Sequence, residues 1–250
     1  MQRVISGVVL AAAALAAILF LPYPALRVLL CVVAGVAAHE FMKITGAAPS
    51  LAAATVVVCW FVSGPSAFFG VSAVIAFTLV QVVLAVLWKG TPIDKATVGA
   101  FAHVYIAVPL GLLGQIHAGR GWKATVFLIA SIVVSDSMQY YTGRAFGRHP
   151  LAPAISPKKT IEGAIGGLVF GTAFIAIAGW YLFALMPSGT IPFGVIVVVA
   201  GILGDLFESR LKRAASIKDS SSLIPGHGGV LDRIDALLFA APVFYVYFTN

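Results

Sequence analysis

The sequence predicts an all-α, polytopic integral membrane protein, and three observations carry that reading. Only 10% of the 250 residues are charged and 60% are hydrophobic, against about 25% charged in soluble globular chains. Mean hydropathy over the chain is +1.02, which leaves no polar block large enough for a separate soluble domain. Apolar stretches long enough to cross roughly 30 Å of hydrocarbon recur from end to end, and helices are the elements that satisfy their own backbone polar groups there. A single membrane domain, 1–250, is the expected organisation, with 1–122 as N-terminal helices and 123–250 as catalytic helices and cytoplasmic loops.

Nine helices are predicted. The first, 4–22, is an Ala-rich run behind Arg3. A cleaved leader is the competing reading of that pattern, but the apolar runs continue straight into 25–45. The Ser63-Gly64-Pro65-Ser66 stretch marks the split between 50–68 and 70–88, since Gly and Pro interrupt helices. The remaining spans are 97–117, 124–143, 163–185, 191–208 and a short 236–249. Cys31 and Cys59 fall inside predicted helices, where they behave as small apolar residues and not as a disulfide framework.

A formal net charge of +7 does not point to nucleic acid here, because basic residues of membrane proteins report orientation and lipid headgroups first. With the N-terminus inside, thirteen of the 16 lysines and arginines fall on one side, leaving Arg27, Arg120 and Lys123 on the other. That bias places the first side in the cytoplasm and the C-terminus outside. Of nine acidic residues, seven lie between 136 and 235. Asp136, Asp205 and Glu208 sit within or at the ends of predicted helices, where an unpaired carboxylate is costly and marks a functional site.

Three stretches carry chemistry. In Gly204-Asp205-Leu206-Phe207-Glu208-Ser209-Arg210-Leu211-Lys212-Arg213, the residues Asp205, Glu208 and Ser209 are spaced i, i+3 and i+4 and share one helical face. Hard oxygen ligands of that kind suit Mg²⁺, which takes one or two carboxylates plus substrate phosphates and water. The competing reading is an interfacial helix end whose acids pair with Arg210, Lys212 and Arg213.

The second stretch, KDSSSLIPGHGGVLDRID at 218–235, joins two apolar segments. Its glycines let the backbone approach a bulky anion, and successive N–H groups at a helix N-terminus make a phosphate cradle. Asp232 and Asp235 face the same way, and acidic capping of the first turn would explain them without any function. The third runs from Asp136 to Glu162. Asp136 lies about two turns inside its helix, and Ser156-Pro157-Lys158-Lys159-Thr160 reads as a hydroxyl-rich basic loop suited to a lipid or nucleotide phosphate. Capping by Thr160-x-Glu162 is the bland alternative.

The pattern Ser209-x-Leu211-Lys212-Arg213-x4-Lys218-Asp219-x-Ser221-x2-Ile224-Pro225-x-His227-Gly228-Gly229-Val230-x-Asp232-Arg233-Ile234-Asp235 resembles the signature of the phosphatidate cytidylyltransferases, or CDP-diacylglycerol synthases. Asp136 and Ser156-Pro157-Lys158-Lys159-Thr160-x-Glu162-Gly163 are similar to the family's upstream motif, so the resemblance covers roughly 130–240 and the N-terminal half matches in hydropathy alone. Three positions depart from it: Ser137 stands where threonine is usual, Ser221 where glycine is common, and Arg148 where lysine is frequent.

The resemblance implies a reaction in which CTP and phosphatidate give CDP-diacylglycerol and pyrophosphate for phospholipid biosynthesis. It implies Mg²⁺ and allows a second, monovalent cation. On that basis Asp205, Asp219 and Asp232 are the expected metal ligands, with Asp235 in support, and Lys218 and His227 join them in catalysis, His227 as a phosphate contact or proton-handling group. Lys218, Arg233 and the Gly228-Gly229 backbone are expected to hold the triphosphate. Lys158, Lys159 and Arg213 would attract the phosphatidate headgroup, with Ser209 and Lys212 also lining the substrate site. A glycine stripe, Gly163, Gly166, Gly167 and Gly171, predicts close helix packing within a protomer or between protomers of a homodimer that the resemblance allows. The expected location is the cytoplasmic membrane of a bacterium, with the site facing the cytoplasm. Rival readings are a CTP-dependent enzyme acting on another lipid phosphate or a lipid alcohol, use of dCTP, and an ion transporter with intramembrane acids.

Overall fold

The computed structural model describes residues 2–87, 93–224, 226 and 228–249. His227, and Lys89 among the basic residues assigned to the cytoplasmic side, lie outside the described residues. The chain is a helical bundle in the order α1 (Gln2–Phe20), α2 (Tyr23–Thr45), α3 (Ala52–Val62), α4 (Ala67–Leu87), α5 (Ile93–Ala102) and α6 (Val108–Phe146), followed by strands β1 (Pro150–Ala152) and β2 (Ser156–Thr160), then α7 (Ile161–Phe183), α8 (Pro187–Ala214) and α9 (Leu231–Thr249). With its composition, this makes the chain an all-α integral membrane protein.

Several boundaries differ from the sequence expectation. The span expected at 50–68 is a 3₁₀ turn, Pro49–Leu51, followed by the 11-residue α3. Such a helix rises only about 16 Å, so the nine predicted crossings are not all matched by helices of full length. Among the described residues four helical runs are long and apolar enough to cross a membrane: Tyr23–Thr45, Thr97–Phe146, Ile161–Phe183 and Pro187–Ala214. The run Thr97–Phe146 merges two predicted spans. It passes through a π-helical segment, His103–Ala107, and its connection is a single residue, Gly121, at φ 74° and ψ −178°. That backbone region is closed to ordinary side chains, and a Cβ at Gly121 would meet nothing within 4 Å, so its requirement is conformational and not steric.

The glycine stripe resolves into a contact within the chain. A Cβ at Gly167 would stand 2.9 Å from the Ser135 carbonyl oxygen, one at Gly163 would stand 2.7 Å from the Gln139 carbonyl, and Gly166 faces Thr142. Helix α7 therefore lies against α6 at backbone distance. Gly171 continues the line toward Ser135 and toward Val198 on α8. Phe127, Phe193, Phe244 and Phe248 fill the space between α6, α8 and α9 with ring centroids 4.3–6.1 Å apart. A second aromatic group, Phe41, Phe101, Tyr105, Phe207 and Phe239, locks the N-terminal helices to α8 and α9. This seam holds the two halves of the chain in register, and the charged ends of α2, α6, α8 and α9 meet beyond it.

Candidate active site

The basic segment 156–160, read from the sequence as a loop, is the second strand of an antiparallel hairpin that pairs Pro150 with Thr160 and Ala152 with Ser156. Its ends are fixed by α7. The Thr160 hydroxyl caps that helix by accepting from the Gly163 amide at 3.1 Å. Glu162, in the first turn, accepts from the Arg148 and His149 amides at 3.1 and 3.3 Å and pairs with His149 Nδ1 at 2.6 Å. The bland capping reading of Thr160 and Glu162 is thus realised, and it leaves the lysines of the hairpin to face elsewhere.

They face a cavity of about 460 Å³ between the hairpin, the end of α6, the start of α7 and α8. Asp136, Arg144, Lys158, Lys159, Ser156 and Asp205 are among its walls. Lys159 is ion-paired with Asp205, whose other carboxylate oxygen accepts from Ser209 at 3.4 Å. Lys158 and Arg144 are exposed. Arg213 is exposed, and its guanidinium donates to the carbonyls of Ile155 and Ile217, both at 3.2 Å, which ties the hairpin to the end of α8 and leaves further N–H donors.

One helical turn from Asp205 the character changes. Glu208 is fully buried and pairs with Lys212 at 2.5 Å, and the same ammonium lies 2.5 Å from Asp232 at the start of α9. Side-chain exposures of 1%, 13% and 4% show a buried ionic triad. Lys212, expected at the substrate site, is committed to these two carboxylates. Asp232 Oδ2 also accepts from the Ser220 amide and hydroxyl and from the Gly229 amide, at 2.7–2.9 Å. Asp205 and Asp232 therefore lie at the same end of the bundle, with α8 and α9 touching where a Cβ at Gly204 would stand 2.5 Å from the Asp235 carbonyl.

Glu40, on α2, has no role in the sequence reading. Its buried carboxylate accepts from Ser221 Oγ at 2.7 Å, Ser220 Oγ at 3.1 Å, the Val230 amide at 3.1 Å and the Leu231 amide at 2.8 Å. Those amides stand at the N-terminus of α9, directly after the Gly228-Gly229 backbone expected to hold the triphosphate. The Gly229 amide is given to Asp232 and the next two to Glu40, so protein carboxylates occupy these three donors. A single Glu in a monotonous N-terminal half carries no local pattern, so only the fold reveals it.

The rest of the predicted set is open. Lys218, Asp219 and Arg233 are exposed, and Asp219 packs beside Gly228, whose φ of 79° requires glycine. Among the described residues no group of three or more His, Cys, Asp or Glu side chains is preassembled around a metal position. The donor chemistry nonetheless suits a divalent ion. Asp136 and Asp205 line the same cavity, and Asp232 Oδ1 accepts from Lys212 with a lone pair to spare. Carboxylate oxygen in excess of cations is what Mg²⁺ takes up together with phosphate.

Sequence comparison matches residues 1–250 to the family model described as "Cytidylyltransferase family". A phosphatidate cytidylyltransferase of Thermotoga maritima is 39% identical over 160 residues, which covers 61% of this chain and 59% of the relative. One from Aquifex aeolicus is 39% identical over 162 residues, covering 64% and 58%, and one from Haemophilus influenzae is 45% identical over 137 residues, covering 52% and 47%. In each case the match spans between about half and three fifths of the relative's own length.

Proposed function

The chain belongs to the cytidylyltransferase family, and from that premise we propose that it is a CTP:phosphatidate cytidylyltransferase. The observation that carries the reading is the pairing of a basic cavity with an acid-rich helix end at one end of the bundle. Lys158 and Arg144 bring positive charge to the mouth of the cavity, and Asp136 and Asp205 bring carboxylates to its wall.

In the proposed step an oxygen of the phosphatidate phosphate attacks the α-phosphorus of CTP. A new P–O–P bond forms, the bond from the α-phosphorus to the β-bridging oxygen breaks, and pyrophosphate leaves with that electron pair. Such in-line transfer needs positioning and charge neutralisation more than a protein nucleophile. Asp205, Asp219 and Asp232 would hold Mg²⁺, which when bound supplies charge neutralisation along the triphosphate. Lys159 can exchange its Asp205 partner for a phosphate oxygen, and Lys158 and Arg144 orient the anionic lipid headgroup from the hairpin side. Lys218 and Arg233, both exposed, would hold the triphosphate. The basic residues Arg144, Lys158 and Lys159 around the cavity favour a cytoplasmic facing of this site in a bacterial cytoplasmic membrane. Purified full-length protein should release pyrophosphate only when CTP, phosphatidate and Mg²⁺ are all present. Release without the lipid, or none with all three, would remove the proposal.

A further inference from the structure

We infer that Glu40 is a positioning residue for the nucleotide side of the site, so that the N-terminal half sets the reactive loop through one buried carboxylate. The inference rests on the proposed cytidylyl transfer for its kinetic meaning.

Glu40 is 3% exposed and accepts from four donors at 2.7–3.1 Å, all between residues 220 and 231. Two are amides at the N-terminus of α9, and two are hydroxyls of the serine run. A carboxyl group has acceptor capacity for this set, because its oxygens offer several lone pairs, and the Ser220 hydroxyl divides its one proton between Glu40 and Asp232. The approach also explains Gly229: a Cβ there would stand 2.5 Å from both Glu40 oxygens and closer still to the Ser220 hydroxyl. Gly229 is small so that a carboxylate can come in beneath the loop.

Asp232 shares this arrangement. The Ser220 hydroxyl lies 2.7 Å from Asp232 Oδ2 and 3.1 Å from Glu40, so one side chain joins the two carboxylates. The loop they clamp presents Lys218 and Asp219 outward. Glu40 lies outside the 460 Å³ cavity, which sits on the hairpin side. Loss of its charge should therefore loosen the nucleotide-facing loop and leave the lipid-facing hairpin in place.

The test compares Glu40→Gln with wild type in detergent, on full-length protein. A carboxamide keeps one acceptor oxygen and turns its NH₂ toward remaining donors. The expected result is unchanged helix content, faster amide exchange at Gly229, Val230 and Leu231, a KM for CTP raised about tenfold or more, and an unchanged KM for phosphatidate. Equal exchange at these amides, or equal loss for both substrates, would overturn the inference. Should the wild type fail to turn over CTP and phosphatidate, the proposed function falls, while the exchange comparison still decides the restraint. Should Glu40→Gln not fold, Ser221→Ala decides: it removes one donor, and a raised KM for CTP alone supports the role, whereas unchanged constants refute it.

Discussion

Lys159 on the hairpin is ion-paired with Asp205 on α8, across a cavity whose other walls are α6 and α7. The pair is partly exposed, with side chains at 21% and 33%, so it contributes under about 1 kcal/mol to folding. Asp205→Asn should leave the thermal midpoint in detergent within a few degrees of wild type. Turnover should fall by about two orders of magnitude or more, as when a group acting on transition-state charge is lost. Near-normal turnover would remove Asp205 from the site.

Asp232 should behave differently, because it accepts four hydrogen bonds that join α8, α9 and the preceding loop. Asp232→Asn turns an NH₂ toward donors and leaves Glu208 with a disturbed partner. We expect loss of activity together with about 1.5–3 kcal/mol of stability, read as a lowered midpoint. An inactive Asp232→Asn with wild-type stability would show that its role is chemical alone.

Lys212→Met tests the buried triad. It removes the one cation lying 2.5 Å from both Glu208 and Asp232. Asp232 keeps its Ser220 and Gly229 donors, but Glu208 loses its cation, and an uncompensated buried charge costs about 3–5 kcal/mol, so the variant should express poorly or unfold well below wild type. A Lys212→Met protein as stable as wild type would mean that one of the carboxylates is protonated and needs no partner.

The helical membrane character and one helix contact were legible in the sequence. Low charge and long apolar runs specify membrane helices whatever their neighbours, and Gly163, Gly166 and Gly167 at helical spacing announce a close helix contact. That Asp205 and Asp232 lie at one end of the bundle was legible from the short chain between α8 and α9, which lets the two helices touch at Gly204 and Asp235. Partnerships were not legible. Glu40 meets donors about 180 residues away in sequence, and no spacing rule spans that distance. The N-terminus of α9 looked free for phosphate because the carboxylate that accepts from its Val230 and Leu231 amides comes from α2. The hairpin was hidden because two short strands rich in Pro, Ser and Lys carry no period-two apolar pattern.

Two glycines separate steric from conformational demand. Gly229→Ala should cost about 1–3 kcal/mol by forcing a Cβ against Glu40 and Ser220. Gly119→Ala, on an open face of α6, should instead stabilise by about 0.5–1 kcal/mol. Thermal unfolding of the two variants beside wild type gives the comparison, and equal shifts would show that the Glu40 contact does not constrain position 229.

The most direct measurement of the central claim follows label from CTP into lipid, using purified protein, phosphatidate and Mg²⁺. Nucleotidyl transfer at this site predicts that label on the α-phosphorus enters the lipid fraction while label on the γ-phosphorus leaves as pyrophosphate. Label from the γ-phosphorus in the lipid, or from neither, would contradict it.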